Sequence, residues 1–266
     1  MSSETKPRLA ASSYLNTAPL IWSFKNGARK HDVTLVDAVP ATCADLLARH
    51  EVDFALVPAI EYQRIEDLKL VPDVCVGSHQ KVRSVVLVSR LNNLKKVRTV
   101  ALDDSSRTSA ALVKIIFKEF LGFEPDWTTR SPDLKQMLRG NDAALIIGDP
   151  AMTFARDGLR VWDMAALWHD FTSLGFVFAM WMVGTTRDAF TPAIDFVQAC
   201  KDGLAQRKEI IDHYELRLEL SRAELETYLT DNITFFLDDD LRKGLELYYK
   251  LAHKHGLIPA LQPLNL

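Results

Sequence analysis

The chain has 266 residues, 48% of them hydrophobic, and 32 Lys and Arg against 35 Asp and Glu give it a net charge of −3. That length can bury one large core or two small ones, and a mildly acidic chain with no basic cluster is a poor nucleic-acid binder. No apolar run reaches the roughly 18 residues that read as a membrane span; the cleanest, FVFAMWMVG at 176–184, reads as a buried strand.

The N-terminus, MSSETKP, lacks the basic and apolar regions of a secretory signal. Leu9–Ala11 is a short apolar strand that turns through Ser12, Ser13, Tyr14, Asn16 and Thr17 into a helix over Pro19–Asn26, stopped by Gly27. Pro is favoured in a first helical turn, where its missing N–H would have no partner. Val33–Val39 is a strand, Ala41–His50 a helix, and Asp53–Val57 a strand ending at Pro58. Arg83–Ser89 is a further strong strand. The same plan then repeats. Val97–Leu102 is a strand, Ser109–Leu121 a helix stopped by Gly122, and Trp127–Thr129 a short strand. Pro132–Arg139 is a helix begun by Ser131 and stopped by Gly140, and Ala143–Ile147 closes the unit before Gly148-Asp149-Pro150. Phe176–Val183 is a strand matching Arg83–Ser89. Beyond Thr186 the chain reads as helical: Ile194–Tyr214, a helix opened by the capping box Ser221-Arg-Ala-Glu224, and Leu241–His255 ended by Gly256 and Pro259.

Two β-α-β-α-β passages with brief apolar strands predict parallel sheets buried on both faces. One strand leading out of the first passage and one leading back predict two α/β lobes joined by a double crossover. The expected division is 1–88 with 186–266 as one lobe and 89–185 as the other, with a ligand cleft facing the carboxyl edges of both sheets, where open α/β folds bind.

Small polar residues gather at the strand-to-helix junctions. From the stretch alone Asn16 or Thr17 reads as a helix cap, since caps far outnumber active sites, with the cleft as the other reading. Asp103-Asp-Ser-Ser-Arg-Thr-Ser109 opens a long helix; the hydroxyls of Ser106, Thr108 and Ser109 with Arg107 and the helix N–H groups suit an anion, although one cap alone would satisfy the helix. Ser84 is expected on the cleft floor, Asp149 as a helix cap or ligand contact, and Thr172 with Ser173 on the opposite wall. Trp168, Phe176, Phe178 and Trp181 are expected to pack the hinge and core. Asp238-Asp-Asp240 precedes a helix, whose dipole favours acids there, and no histidine pair has metal-ligand spacing. Cys43, Cys75 and Cys200 are isolated, which excludes a disulfide framework and a zinc site and predicts small core residues in a reducing cytoplasm.

Six segments in order resemble the chorismate dehydratase family of the futalosine route to menaquinone: Ser13-Tyr-Leu-Asn-Thr-Ala-Pro-Leu20, Asp53-Phe-Ala-Leu-Val-Pro-Ala-Ile-Glu-Tyr62, Val82-Arg-Ser-Val85, Ser105-Ser-Arg-Thr-Ser109, Ile147-Gly-Asp-Pro-Ala151 and Phe176-Val-Phe-Ala-Met-Trp181. The resemblance implies a fold like the type II periplasmic binding proteins. It implies the cofactor-independent loss of water from chorismate to give 3-[(1-carboxyvinyl)oxy]benzoate, a hydro-lyase reaction. It also implies catalytic roles for Asn16 and Ser84. Ser12, Tyr14, Thr17, Arg83, Ser106, Arg107, Thr108, Ser109, Asp149 and Thr172 are the expected substrate-binding residues, with Arg107 holding a carboxylate. No strong side-chain base stands in these segments, so a carboxylate of the substrate is the expected proton acceptor. Chorismate is the expected partner, with no metal, cofactor, nucleic acid or membrane. The chain departs from the family at Gly175, where proline is usual, and at His79-Gln80-Lys81, where Asp-Gly-Pro is usual. Alternatives are a non-catalytic carboxylate-binding protein and the sister dihydroxynaphthoate synthase.

Overall fold

The computed structural model describes residues 6–184 and 194–265; the expected lobe boundary at 185/186 lies outside the described residues. The first repeat comprises β1 (Arg8–Ala11), α1 (Ala18–Lys25), β2 (Thr34–Asp37), α2 (Pro40–Ala48) and β3 (Phe54–Pro58). Proline occupies the first turn of both helices, where it removes no needed donor. β4 (Leu68–Ser78) and β5 (Val85–Ser89) follow. The second repeat is β6 (Thr99–Asp103), α3 (Thr108–Ile115), β7 (Asp126–Arg130), α4 (Leu134–Met137) and β8 (Ala143–Ile147). After it come α5 (Asp149–Thr153), β9 (Arg160–Asp163), α6 (Met164–Thr172), β10 (Phe176–Gly184), α7 (Phe196–Ala205), α8 (Arg207–Leu218), α9 (Arg222–Thr227), β11 (Thr234–Phe236) and α10 (Asp239–Lys254).

The repeats pair alike. β1 lies between parallel β2 and β3, and β6 between parallel β7 and β8. The full orders are β11-β4-β10-β3-β1-β2 and β7-β6-β8-β5-β9. β5 runs antiparallel to β8, and β10 antiparallel to β3. Each of these strands therefore belongs to the sheet it enters, which moves both expected lobe limits: β5 lies with the second repeat and β10 with the first. A lone apolar run fixes that a strand forms but carries no mark of its partner.

Other elements also depart from expectation. The helix expected over 194–214 breaks at Gln206 into α7 and α8. The one expected over 132–139 shrinks to α4, capped by the Asp133 side chain rather than by Ser131. β4 pairs with β10 through register shifts and holds Asp73 at φ +68; its Lys69, Pro72 and Asp73 interrupt the alternation that marks a strand. β11 is three residues long, inside a stretch expected to be helical.

The chain crosses between sheets over 79–84 and 173–175, with buried aromatic packing beside the second crossing. Trp168, Phe176 and Trp181 are fully buried, while Phe178, also expected in the core, lines the cavity described below. Trp168 and Phe176 both meet the Tyr248 ring edge-on. α10 bridges the two halves: Tyr248 donates its hydroxyl proton to the Thr108 carbonyl and Tyr249 donates to that of Ala59. Asp238 caps α10 by accepting from the Leu241 N–H, the role its position before a helix suggested. The two departures from the family pattern meet beside it. The Gly175 N–H donates to Asp240 Oδ2 at 2.8 Å, and His79 Nδ1 lies 3.3 Å from the same oxygen. A proline at 175 would have no proton to give. All three cysteines are buried and free, as their spacing predicted.

Candidate active site in the inter-sheet cleft

A cavity of about 50 Å³ lies where the carboxyl ends of the parallel strands face one another. Asn16 and Thr17 follow β1, Pro58 ends β3, Ser105 to Ser109 follow β6, and Ile147 ends β8; Leu56, Val76, Val85 and Phe178 supply apolar wall. Ligand sites ordinarily occupy roughly 300–1,000 Å³. A substrate of ordinary size needs more room than this cavity offers.

Neither Asn16 nor Thr17 caps α1 by its side chain. Thr17 Oγ1 donates within its own turn, 2.5 Å from the Ser12 carbonyl and 2.9 Å from that of Tyr14, so it shapes the loop. Among the described residues Asn16 Oδ1 is buried without a hydrogen-bond partner. The hydroxyls after β6 behave likewise. The N-cap of α3, Arg107, makes no capping bond with its side chain among the described residues. Ser105 donates to Asp103 at 2.6 Å, Thr108 Oγ1 accepts the Ile60 N–H from the other sheet, and Ser106 Oγ is buried and unpaired. Among the described residues two polar atoms on opposite walls thus lack a protein partner beside one cavity, where burial costs free energy unless water or a ligand completes them. Capping does not explain these residues.

Arg107 lines the cavity, but its guanidinium already spans to the first sheet, 2.6 Å from Asp45 and 2.9 Å from the buried Glu61. These two ion pairs join the second half of the chain to α2 and to the turn after β3. Asp149 is a second such latch. Gly148, not Asp149, is the N-cap of α5, and Asp149 Oδ1 accepts the Leu15 N–H at 2.8 Å from across the cleft. The Tyr14 ring packs on Gly148, where a methyl group would come within 2.8 Å of it. Tyr14 faces Asp103 and Asp149; burial first, then those charges, raises its phenol above the ordinary range.

Thr172 is not in the site. Its hydroxyl donates to the Trp168 carbonyl and accepts from the Leu174 N–H, ending α6, and Ser173 is exposed at φ +57. Arg83 turns away to Glu224 at 2.6 Å, so it too is spent on the protein. Ser84 precedes β5 rather than starting it and is 1% exposed; its Oγ accepts from Tyr228 at 2.7 Å. Sequence reasoning missed Tyr228, and also Asp163, which accepts the N–H groups of Val82, Arg83, Ala165 and Ala166. An acid just before a helix was the available signal for Asp163. Nothing local marked Tyr228.

Burial pushes the Asp149 carboxyl up to about 6 from an ordinary 3.8, against the lowering pull of the Leu15 N–H and Arg217. A raised carboxyl contributes stability that is complete below about pH 4 and is lost as pH rises through about 6, on the order of 2–3 kcal/mol. Asp149→Asn keeps an acceptor for Leu15 and removes the ionisation. Thermal scans should show the variant melting above the parent at about pH 8 and level with it at about pH 4. A variant that melts lower at pH 8 would mean that Arg217, 3.7 Å from Oδ2, outweighs burial.

The sequence pattern of the family described as Menaquinone biosynthesis matches residues 7–254. The chain belongs to that family. A chorismate dehydratase of Thermus thermophilus is 32% identical over 257 residues, covering 88% of this chain and 91% of its own. Among solved structures, a protein of Archaeoglobus fulgidus superposes with a TM-score of 0.72 at 16% identity, covering 96% of this chain and all of its own. The periplasmic aliphatic sulphonate binding protein of Escherichia coli superposes with a TM-score of 0.66 at 18% identity, covering 99% and 94%. These likenesses show the fold, an α/β periplasmic-binding-protein fold, as the family resemblance implied. Among the described residues no helix is long and apolar enough to cross a membrane.

Proposed function

We propose that this menaquinone biosynthesis family protein is a chorismate dehydratase, a cofactor-independent hydro-lyase of the cytoplasm. The reading is supported by the Thermus thermophilus relative of that activity. It is carried by one observation about the site: the cavity is lined by an amide, five hydroxyls, one guanidinium and apolar side chains, with no carboxylate, imidazole, thiol or amine among the described lining residues.

That lining suits a reaction whose substrate brings its own reactive groups. Chorismate is a cyclohexadiene dianion; loss of the ring hydroxyl and the neighbouring ring hydrogen makes the ring aromatic. The proton leaves from ring carbon to a carboxylate of the substrate itself, the C–O bond breaks, and the released hydroxide takes up a proton to leave as water. The protein's share is to hold the ring in the reactive arrangement and exclude bulk water. Asn16 and the hydroxyls after β6 offer polar contacts on opposite walls. Closure through Arg107 and Asp149 shuts the two sheets, acting as lobes, over the substrate.

The test is to incubate purified protein with chorismate and follow products by chromatography and mass. A new aromatic product lighter by one water is expected. If chorismate persists yet raises the melting temperature, the protein is a binding clamp, and the dehydratase reading fails.

A further inference from the structure

The C-terminal helices reach back to the corner that presents Ser84. α9 is opened by Ser221, whose hydroxyl and backbone exchange hydrogen bonds with Glu224 in a capping box. The other oxygen of Glu224 lies 2.6 Å from Arg83, and these contacts with Ser221 and Arg83 pull its carboxyl down to about 2. One helical turn later, at i+4 and so on the same face, Tyr228 donates to Ser84 Oγ at 2.7 Å. Two successive residues of the corner are thus gripped by two successive turns of one helical stretch. At Tyr228 the helix widens into a π-helical turn, Tyr228–Asn232, a local irregularity often found at functional sites.

The corner itself is rigid. Arg83 sits at φ +62, a conformation that non-glycine residues hold only when their surroundings impose it. Asp163 accepts the Val82 and Arg83 N–H groups, and the Ser84 carbonyl accepts from Gly148. What remains free is the rotation of the Ser84 hydroxyl.

We propose that Tyr228 is a positioning residue for Ser84, its phenol donating to Ser84 Oγ so that the serine's own proton is turned toward the cleft as a donor to substrate. Tyr228 is fully buried, and its phenol is held above the ordinary range chiefly by that burial, so it stays protonated. Two touching hydroxyls carry two protons, and only one can lie between them. Among the described residues the Tyr228 oxygen donates to nothing but Ser84, and Ser84 Oγ has no second partner. Whichever hydroxyl donates, the other proton is left without an acceptor among the described residues; with the phenol donating, as observed, that proton is the serine's, and a substrate oxygen can complete it. That direction leaves the free proton on Ser84, which is not itself a lining residue of the cavity but directly precedes Val85, which is. The inference rests on the dehydratase reading and on Ser84 meeting substrate.

The experiment compares full-length wild type, Tyr228→Phe, Ser84→Ala and the double variant on chorismate, with melting temperatures for all four. Tyr228→Phe keeps the ring and loses the donor. It is expected to lower kcat by about ten- to a hundredfold with KM within about twofold, and to lower kcat no further in the Ser84→Ala background. A phenylalanine variant with wild-type kcat overturns the proposal. So does an equal loss in both backgrounds, the mark of a structural role. Failure of the dehydratase reading looks different: the wild-type protein itself leaves chorismate unchanged.

Discussion

Asn16→Ala is expected to lower kcat/KM on chorismate by about 10²–10³-fold while leaving the melting temperature within a few degrees of the parent. The two halves of that result come from one atom. Among the described residues Asn16 Oδ1, buried at the cavity, has no hydrogen-bond partner, so it contributes no bond to them that the fold would miss. An unpaired buried carbonyl oxygen instead costs about 1–3 kcal/mol. Truncation removes that cost and forfeits some packing of the side chain, and the two changes largely offset. A polar group kept at the expense of stability is what a preorganised site requires, because the donor that completes it arrives with the substrate. Steady-state turnover and a thermal scan on the same preparation decide the matter. Near-parental turnover would remove Asn16 from the site, and a melting drop of the size seen for core truncations would make it a structural residue.

The repeat was legible because it is written in local signals. Gly27, Gly122 and Pro19 punctuate helices, and the brief apolar strands Leu9–Ala11 and Ala143–Ile147 have room for only one kind of sheet. The matching orders β2-β1-β3 and β7-β6-β8 follow from two passages with one plan. Pairing across the hinge was not legible: Val85–Ser89 reads the same whether its partner is β3 or β8, and the choice is made by contacts with residues some sixty positions later. The site divides in the same way. Asn16, Ser106 and Thr108 stand at strand ends that point into a cleft, so topology alone puts them there. The ion pairs of Arg107 and Arg83 were not legible, because a guanidinium is read as free until its acceptors are seen, and Asp45, Glu61 and Glu224 come from other elements. Thr172 failed because a threonine near a helix end fits a cap as well as a cleft, and here it ends α6. Tyr228 lies 144 residues from Ser84, beyond any local pattern.

Gly148→Ala is expected to cost more than any other single methyl group in the cleft. Gly148 sits at φ +67 and ψ −150, a region that is essentially glycine's alone and strains an alanine by about 1–3 kcal/mol. The methyl group would also come 2.8 Å from two carbons of the Tyr14 ring, so the ring has to move. Tyr14 leads directly into Leu15, whose N–H is held by Asp149, and then into Asn16. Displacing the ring therefore loosens the latch and the proposed catalytic amide together. Melting should fall by roughly 4–12 °C for a chain of this size, and turnover by about a hundredfold or more, since a misplacement near 1 Å is enough for that. The two causes separate in a double-mutant cycle with Tyr14→Ala. In that background only the backbone strain remains, so Gly148→Ala should cost clearly less in melting temperature than it does beside the tyrosine. Equal costs in both backgrounds would show that the ring is not what the glycine accommodates. The closed seat of Tyr14 would then owe nothing to the missing side chain at 148, and the latch would rest on Asp149 and Arg107 alone.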